Sequence, residues 1–228
     1  MMKNKKNVSN EKLAEIKIGK DLDFASSEAY KLLRTNIMFS VPDKPGGKVI
    51  GITSPCPQEG KSTTSLNLAY TLAEAGNRVI LIDSDMRRPS ISKTLNMPKA
   101  PGLSNRLTNN DVTAINIGVL HENLSIMFSG DIPPNPSELV SSENMKALIG
   151  EFRENYDYVI VDLPPVTAVS DPLVMSKNID GLVIVIRHGH TRRRDVMETM
   201  RQLELVNAKV LGFVYNGYMK MKPSYHSV

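Results

Sequence analysis

The sequence predicts an α/β fold, a doubly wound and mainly parallel sheet with helices on both faces. Three observations carry that expectation. Short β-branched, apolar runs at 49–53, 79–83, 124–128, 159–162, 182–187 and 210–216 alternate with stretches of helical periodicity. Those runs are apolar almost throughout, as strands are when helices cover both sheet faces. A loop closing in Gly60-Lys61-Ser62 joins the first run to a helical pattern, and strand–helix repetition puts a ligand site at the carboxyl ends of the strands. With 228 residues and 41% apolar content, one domain can bury a substantial core.

The elements follow in order. Residues 1–20 are polar and lysine-rich and read as an N-terminal tail. Over 26–39, Tyr30, Leu33 and Ile37 recur at helical spacing, with Ser26 or Ser27 as the cap. Pro42 and the Pro45-Gly46-Gly47 turn end that helix. The strand 49–53 leads into a helix over 62–75, with Gly76 placed as its C-terminal cap. Further helices are expected over 145–155, 172–177 and 192–206. Pro172 suits a first helical turn, and Asp171 before it reads as a cap. Tyr215 is expected to pack within the last strand. Residues 21–216 form one domain in this reading, and 217–228 form a C-terminal tail.

Composition excludes several classes. Aromatics are 5% of the chain, tryptophan is absent and the net charge is only +4, so no base-stacking or dedicated nucleic-acid surface is expected. The single cysteine, Cys56, allows no internal disulfide and points to a reducing compartment. No apolar run approaches the ~18 residues of a membrane span. The charged N-terminus has no apolar segment behind it, so no signal peptide is expected. The expectation is a cytoplasmic protein that reaches the membrane only through a partner.

The loop Ser54-Pro-Cys-Pro-Gln-Glu-Gly-Lys-Ser-Thr64, between a strand and a helix, has the build of a phosphate-binding P-loop. A helix N-terminus offers unpaired N–H groups and partial positive charge to a phosphate chain. Gly60 lets the backbone come close to phosphate oxygens, Lys61 reaches the outer phosphates and Ser62 can ligate Mg²⁺. The usual first glycine of the pattern is here Pro55. Carboxylates belong at neighbouring strand ends, and two segments supply them. Val79-Ile-Leu-Ile-Asp83-Ser-Asp85-Met-Arg87-Arg88-Pro89 gives a pair, and Tyr158-Val-Ile-Val-Asp162-Leu-Pro-Pro165 gives a third. Mg²⁺ takes oxygen ligands, usually one or two carboxylates with phosphates and waters, which leaves another carboxylate to polarise a nucleophile. The basic stretch Arg187, His188, His190 and Arg192-Arg-Arg194 reads as a solvated helix start, or as a contact with nucleotide or an acidic partner. Cys56 beside a helix start could have a lowered pKa.

Taken together, the Pro57-Gln-Glu-Gly-Lys-Ser loop, Asp83-Ser-Asp-Met-Arg-Arg-Pro and Asp162-Leu-Pro-Pro resemble the bacterial tyrosine kinases of capsular and exopolysaccharide biosynthesis. Glu28-Ala-Tyr-Lys-Leu-Leu-Arg34 and Ser129-Gly-Asp-Ile-Pro-Pro-Asn-Pro-Ser-Glu-Leu139 extend the resemblance over about 26–216. It implies a P-loop NTPase-like fold that uses ATP and Mg²⁺. By that resemblance Lys61 and Ser62 bind phosphate and metal, with Pro57, Gln58, Glu59, Gly60 and Thr63 in the cradle, Asp83 activates the incoming tyrosine hydroxyl, and Asp85 and Asp162 hold Mg²⁺. Glu28, Lys31 and Arg34 match a stripe that joins subunits into a ring, with Lys31 where the family has arginine. Lysine lacks the bidentate fork of arginine, so the assembly is expected to be weaker. Tyr225, then Tyr218, match the tail tyrosines phosphorylated in trans, although the cluster is thin. The activator implied is a membrane-anchored protein whose cytoplasmic tail engages the kinase, the split arrangement of Gram-positive bacteria. Two readings compete: a cell-division or plasmid-partition ATPase of the MinD/ParA type, and an ATP-regulated scaffold without useful kinase activity. The partition ATPases carry an early lysine in this loop, which Ser54-Pro-Cys-Pro57 lacks.

Overall fold

The computed structural model describes residues 17–41, 44–109 and 114–217. Tyr218, Tyr225 and Pro42 lie outside them. The strands are β1 (Lys48–Thr53), β2 (Val79–Asp83), β3 (Asn116–Ile117), β4 (Leu124–Met127), β5 (Tyr158–Asp162), β6 (Gly181–Arg187) and β7 (Val210–Asn216). They form one sheet in the order β3-β4-β2-β5-β1-β6-β7. Only the β3–β4 pair is antiparallel. The expected runs match the parallel strands to within a residue at each end.

The helices are α1 (Phe24–Ser40), α2 (Lys61–Glu74), α3 (Ile91–Thr94), α4 (Leu103–Thr108), α5 (Pro136–Ser141), α6 (Glu143–Asn155), α7 (Asp171–Met175) and α8 (Arg193–Leu205). Successive strand residues point to opposite faces, so two cores form. Val49, Ile80, Ile82, Val159 and Val161 face Met145, Leu148, Ile149 and Phe152 of α6, while Ile50, Ile52, Leu81 and Ile160 face α2 on the other side. Helix α2 shows which force wins. Its opening Lys-Ser-Thr-Thr-Ser is poor in strong helix formers, at a cost of roughly 0.5 kcal/mol per residue relative to alanine. Leu66, Leu68 and Leu72 are fully buried, and each contributes roughly 1.5–3 kcal/mol. Packing therefore sets this helix.

Several expectations need correction. Helix α1 begins at Phe24, and its cap is Asp23 rather than Ser26 or Ser27. The Asp23 carboxylate accepts from the Ser26 N–H and hydroxyl at 2.9 and 3.0 Å, so Ser26 is the capped residue. Helix α7 is shorter than 172–177 and passes into a 3₁₀ turn, Ser176–Asn178. Asp171 sits in the first turn of α7 without capping it, because its carboxylate is engaged by Ser137 and Arg87. Tyr215 lies in β7 as expected but is 54% exposed, because β7 is an edge strand. Helices α3, α4 and α5 and the strand β3 are additional. At the start, the Gly19 N–H donates to Asn67 Oδ1 at 2.9 Å, so the segment preceding α1 is tied to α2.

Candidate nucleotide and phosphoryl-transfer site

Strand order brings the chemistry together. β5 lies between β2 and β1, with Asp162 in register with Asp83 on one side and with Ile52 on the other. The carboxyl ends of β2 and β5 therefore present Asp83 and Asp162 side by side, and the loop after β1 brings Lys61 and Ser62 over them. Asp85 follows β2 by two residues. The Lys61 ammonium lies 3.1 Å from Asp85 Oδ2 and 3.6 Å from Asp162 Oδ2. Ser62 Oγ donates to Asp162 Oδ2 at 2.5 Å, and Ser65 Oγ donates to Oδ1 at 3.1 Å. Asp83 accepts the Asp85 and Ile91 N–H groups at 3.2 and 3.3 Å.

Burial shapes the protonation of this cluster. Asp83 and Asp162 are fully buried. Burial first, and then the Asp162 charge, lift Asp83 well above the ordinary carboxylate range. Burial also lifts Asp162, against the opposing pull of Lys61 and Ser62. Burial pulls Lys61 down, but the Asp162 and Asp85 charges outweigh it and leave the ammonium above its usual value. The site thus holds a firmly charged lysine against acids that retain protons unusually well.

The P-loop backbone takes two left-handed positions. Gly60, at φ 90°, immediately precedes α2, and Gln58 is at φ 63°. A Cβ on Gly60 would come within 2.0 Å of Asn216 Nδ2, so only glycine fits there. Pro55 replaces the usual glycine without loss of order: its carbonyl accepts from Thr167 Oγ1 at 2.6 Å. The Cys56 N–H donates to Glu59 Oε2 at 3.0 Å. The Cys56 thiol is pushed up by burial, not lowered by the helix start as the sequence suggested. Pro57, Gln58, Gly60, Lys61, Ser62 and Thr63 line one side of a cleft of about 760 Å³, and Asp85, Arg87, Arg88 and Pro164 line the other. Glu59 turns away from the cleft and is fully buried.

Comparison with known proteins gives this geometry a family. The family described as "ParA: NUBPL iron-transfer P-loop NTPase" matches residues 47–227. Tyrosine-protein kinase YwqD of Bacillus subtilis is 39% identical over 200 residues, 87% of this chain and 84% of that protein. Tyrosine-protein kinase CpsD of Streptococcus agalactiae is 35% identical over 193 residues, 84% of this chain and 83% of that protein. Among solved structures, the kinase domain of Escherichia coli tyrosine kinase ETK aligns with a TM-score of 0.80 at 31% identity, covering 89% of this chain and 79% of that one. The chain belongs to the bacterial tyrosine kinases. The P-loop NTPase fold of that family implies nucleotide binding.

Within this kinase the structure adds residues that the sequence did not single out. Ser65 steadies Asp162 from the second turn of α2. The Arg87 guanidinium donates to Ser137 Oγ at 2.8 Å and lies 3.6 Å from Asp171, whose other oxygen takes the Ser137 hydroxyl at 2.6 Å. The family-like stretch 129–139 thereby fixes an arginine at the cleft mouth. No sequence signal joined them, since Arg87 and Ser137 are 50 positions apart. The basic segment that ends β6 and continues beyond it is a brace as well as a solvated surface: Arg187 and His190 both reach P-loop carbonyls. In α1, Glu28 and Lys31 pair with each other at 2.8 Å on the outward face. Arg34 instead turns inward and donates to Thr71 O at 2.9 Å. Among the described residues, no helix is long and apolar enough to cross a membrane.

Proposed function

We propose that this kinase transfers the terminal phosphoryl group of ATP, bound with Mg²⁺, to tyrosine hydroxyls, including Tyr225 and Tyr218 of a neighbouring copy's tail. The observation that supports this most directly is the convergence of Asp83, Asp85 and Asp162 on Lys61 and Ser62 at the N-terminus of α2. Phosphoryl transfer asks mostly for positioning and charge neutralisation. Lys61 and the cradle of Gly60, Ser62 and Thr63 hold the phosphates. Among the described residues no group of three or more His, Cys, Asp or Glu side chains encloses a metal alone. Oxygen donors from phosphate and water would therefore complete a set begun by Ser62, Asp85 and Asp162, as suits Mg²⁺. When bound, the metal supplies positive charge to the phosphates. The family resemblance gives Asp83 the tyrosine proton; because burial and the Asp162 charge hold a proton on Asp83, it can act as a base only once bound Mg²⁺ offsets that charge and leaves it ionised.

The assembly we propose is a homo-oligomer, possible as a ring through Glu28, Lys31 and neighbouring residues of α1. A membrane-anchored activator recruits it from the cytoplasm to the inner face of the membrane, where it regulates capsular or exopolysaccharide synthesis and export. A partition-type ATPase shares the fold, but the loop Ser54-Pro-Cys-Pro57 has no lysine to serve it. The test is phosphotyrosine mapping after incubation with ATP and Mg²⁺, with and without the activator tail. Phosphate on Tyr225 or Tyr218 that vanishes in Lys61→Met is the expected result. Nucleotide binding without any phosphotyrosine, even with the activator tail, would favour the scaffold.

A further inference from the structure

Three consecutive carbonyls of the P-loop are each held by a side chain from the far end of the chain. Pro57 O takes His190 Nε2 at 3.3 Å, Gln58 O takes Arg187 Nη1 at 3.0 Å and Glu59 O takes Asn216 Nδ2 at 2.9 Å. The Pro57 carbonyl can only accept, so His190 carries its proton on Nε2. These donors come from the last residue of β6, from the loop after it and from the last residue of β7. They are themselves fixed: the Arg187 N–H donates to Thr191 Oγ1 at 2.7 Å, and the Thr191 hydroxyl donates to Glu59 Oε1. The other oxygen of that buried carboxylate holds the Cys56 N–H.

In a trans peptide the C=O and the next N–H point in opposite directions. Drawing the carbonyls of 57, 58 and 59 toward β6 and β7 turns the N–H groups of Gln58, Glu59 and Gly60 away, toward the phosphate side of the loop. None of those N–H groups has an acceptor among the described residues. Successive N–H groups turned one way form an anion-binding concavity. We infer that Arg187, His190 and Asn216 are positioning residues, a three-point clamp that presets the P-loop amides for the phosphates of the nucleotide. They act through the backbone and need not touch the phosphates. A loop lacking its usual first glycine gains in this way an external means of holding its shape.

The inference rests on the nucleotide-site part of the reading above and is independent of the phosphate acceptor. It is tested on the full chain by calorimetric titration with Mg-ADP and by steady-state kinetics with ATP and a tyrosine peptide. Arg187→Met and His190→Ala are exposed-side changes, and Asn216→Asp sets an acceptor against the Glu59 carbonyl. Each is expected to weaken Mg-ADP binding about fivefold, as the loss of one preorganising hydrogen bond, and Arg187→Lys to restore it to within twofold. KM for ATP rises in proportion while kcat stays within twofold. Unchanged affinity in Arg187→Met and His190→Ala overturns the clamp. So does an Arg187→Lys variant as weak as Arg187→Met, or a kcat that falls while the affinity holds. Failure of the wild-type chain to bind Mg-ADP would instead overturn the nucleotide-site reading itself.

Discussion

Asp83 and Asp85 stand two residues apart and are asked for different chemistry. Asp85 lines the cleft beside Lys61, whereas Asp83 lies beneath it, fully buried and held by the Asp85 and Ile91 N–H groups. If Asp83 accepts the tyrosine proton, Asp83→Asn lowers kcat by about 10²–10⁴-fold, the usual worth of a general base, and leaves Mg-ADP affinity intact. Asp85→Asn should instead raise the Mg²⁺ concentration needed for half-maximal rate. Interchanged results, read from kcat and Mg²⁺ titrations, would assign the base to Asp85. Asp83, Asp162 and the loop were legible in the sequence because each ends or follows an apolar strand, and Asp85 because it stands two positions after Asp83, which fixes their places without any knowledge of the tertiary fold. Arg87, Asp171 and Ser137 were not legible, since only the fold brings them together.

Elements are tied at the opposite, amino end of the sheet by Asp180. Its Oδ2 accepts the Val49 N–H at 2.8 Å and Arg153 Nη1 at 2.7 Å, linking β1, α6 and the start of β6. Burial raises its pKa, but the bonds from Arg153 and Val49 outweigh that and hold it below the ordinary aspartate value. A depressed folded-state pKa contributes stability above the unfolded value of ~3.9, and that stability fades as pH falls through the folded value. Asp180→Asn should therefore cost about 1.5 kcal/mol at pH 7, with the gap to wild type closing below about pH 4. Urea unfolding at several pH values checks this, and a gap that ignores pH would count against it. The long elements were readable because both-face burial makes strands wholly apolar and α2, α6 and α8 run for three turns or more. Helices α3, α4 and α5 span only 4–6 residues, too few to display a helical period, and β3 has two. The cap of α1 was misplaced because three polar residues, Asp23, Ser26 and Ser27, compete there and only the carboxylate reaches back to the open N–H.

At the scale of the whole molecule, α1 turns an apolar surface outward. Leu32 is 61% exposed and Phe39 87%, on the same side as the Glu28–Lys31 pair. Exposed apolar side chains around a charged pair are what an interface between copies requires. Leu32→Glu with Phe39→Glu should dissolve the proposed oligomer in light scattering while the circular dichroism of the folded chain is unchanged, because neither residue is in the core. Lys31→Arg should tighten it, by restoring a bidentate partner for a carboxylate. A pair of variants that assemble like wild type would remove α1 from the interface. The outward face is visible in the sequence only as a helical stripe, and the inward turn of Arg34 could not be foreseen without Thr71 beside it. Asn216 is followed, one glycine later, by the segment that carries Tyr218 and Tyr225. The last described strand thus ends on the side chain that grips the Glu59 carbonyl, two positions before Tyr218. If capture of that segment by a neighbouring copy changes nucleotide affinity through Asn216, nucleotide must change the affinity for the segment by the same factor.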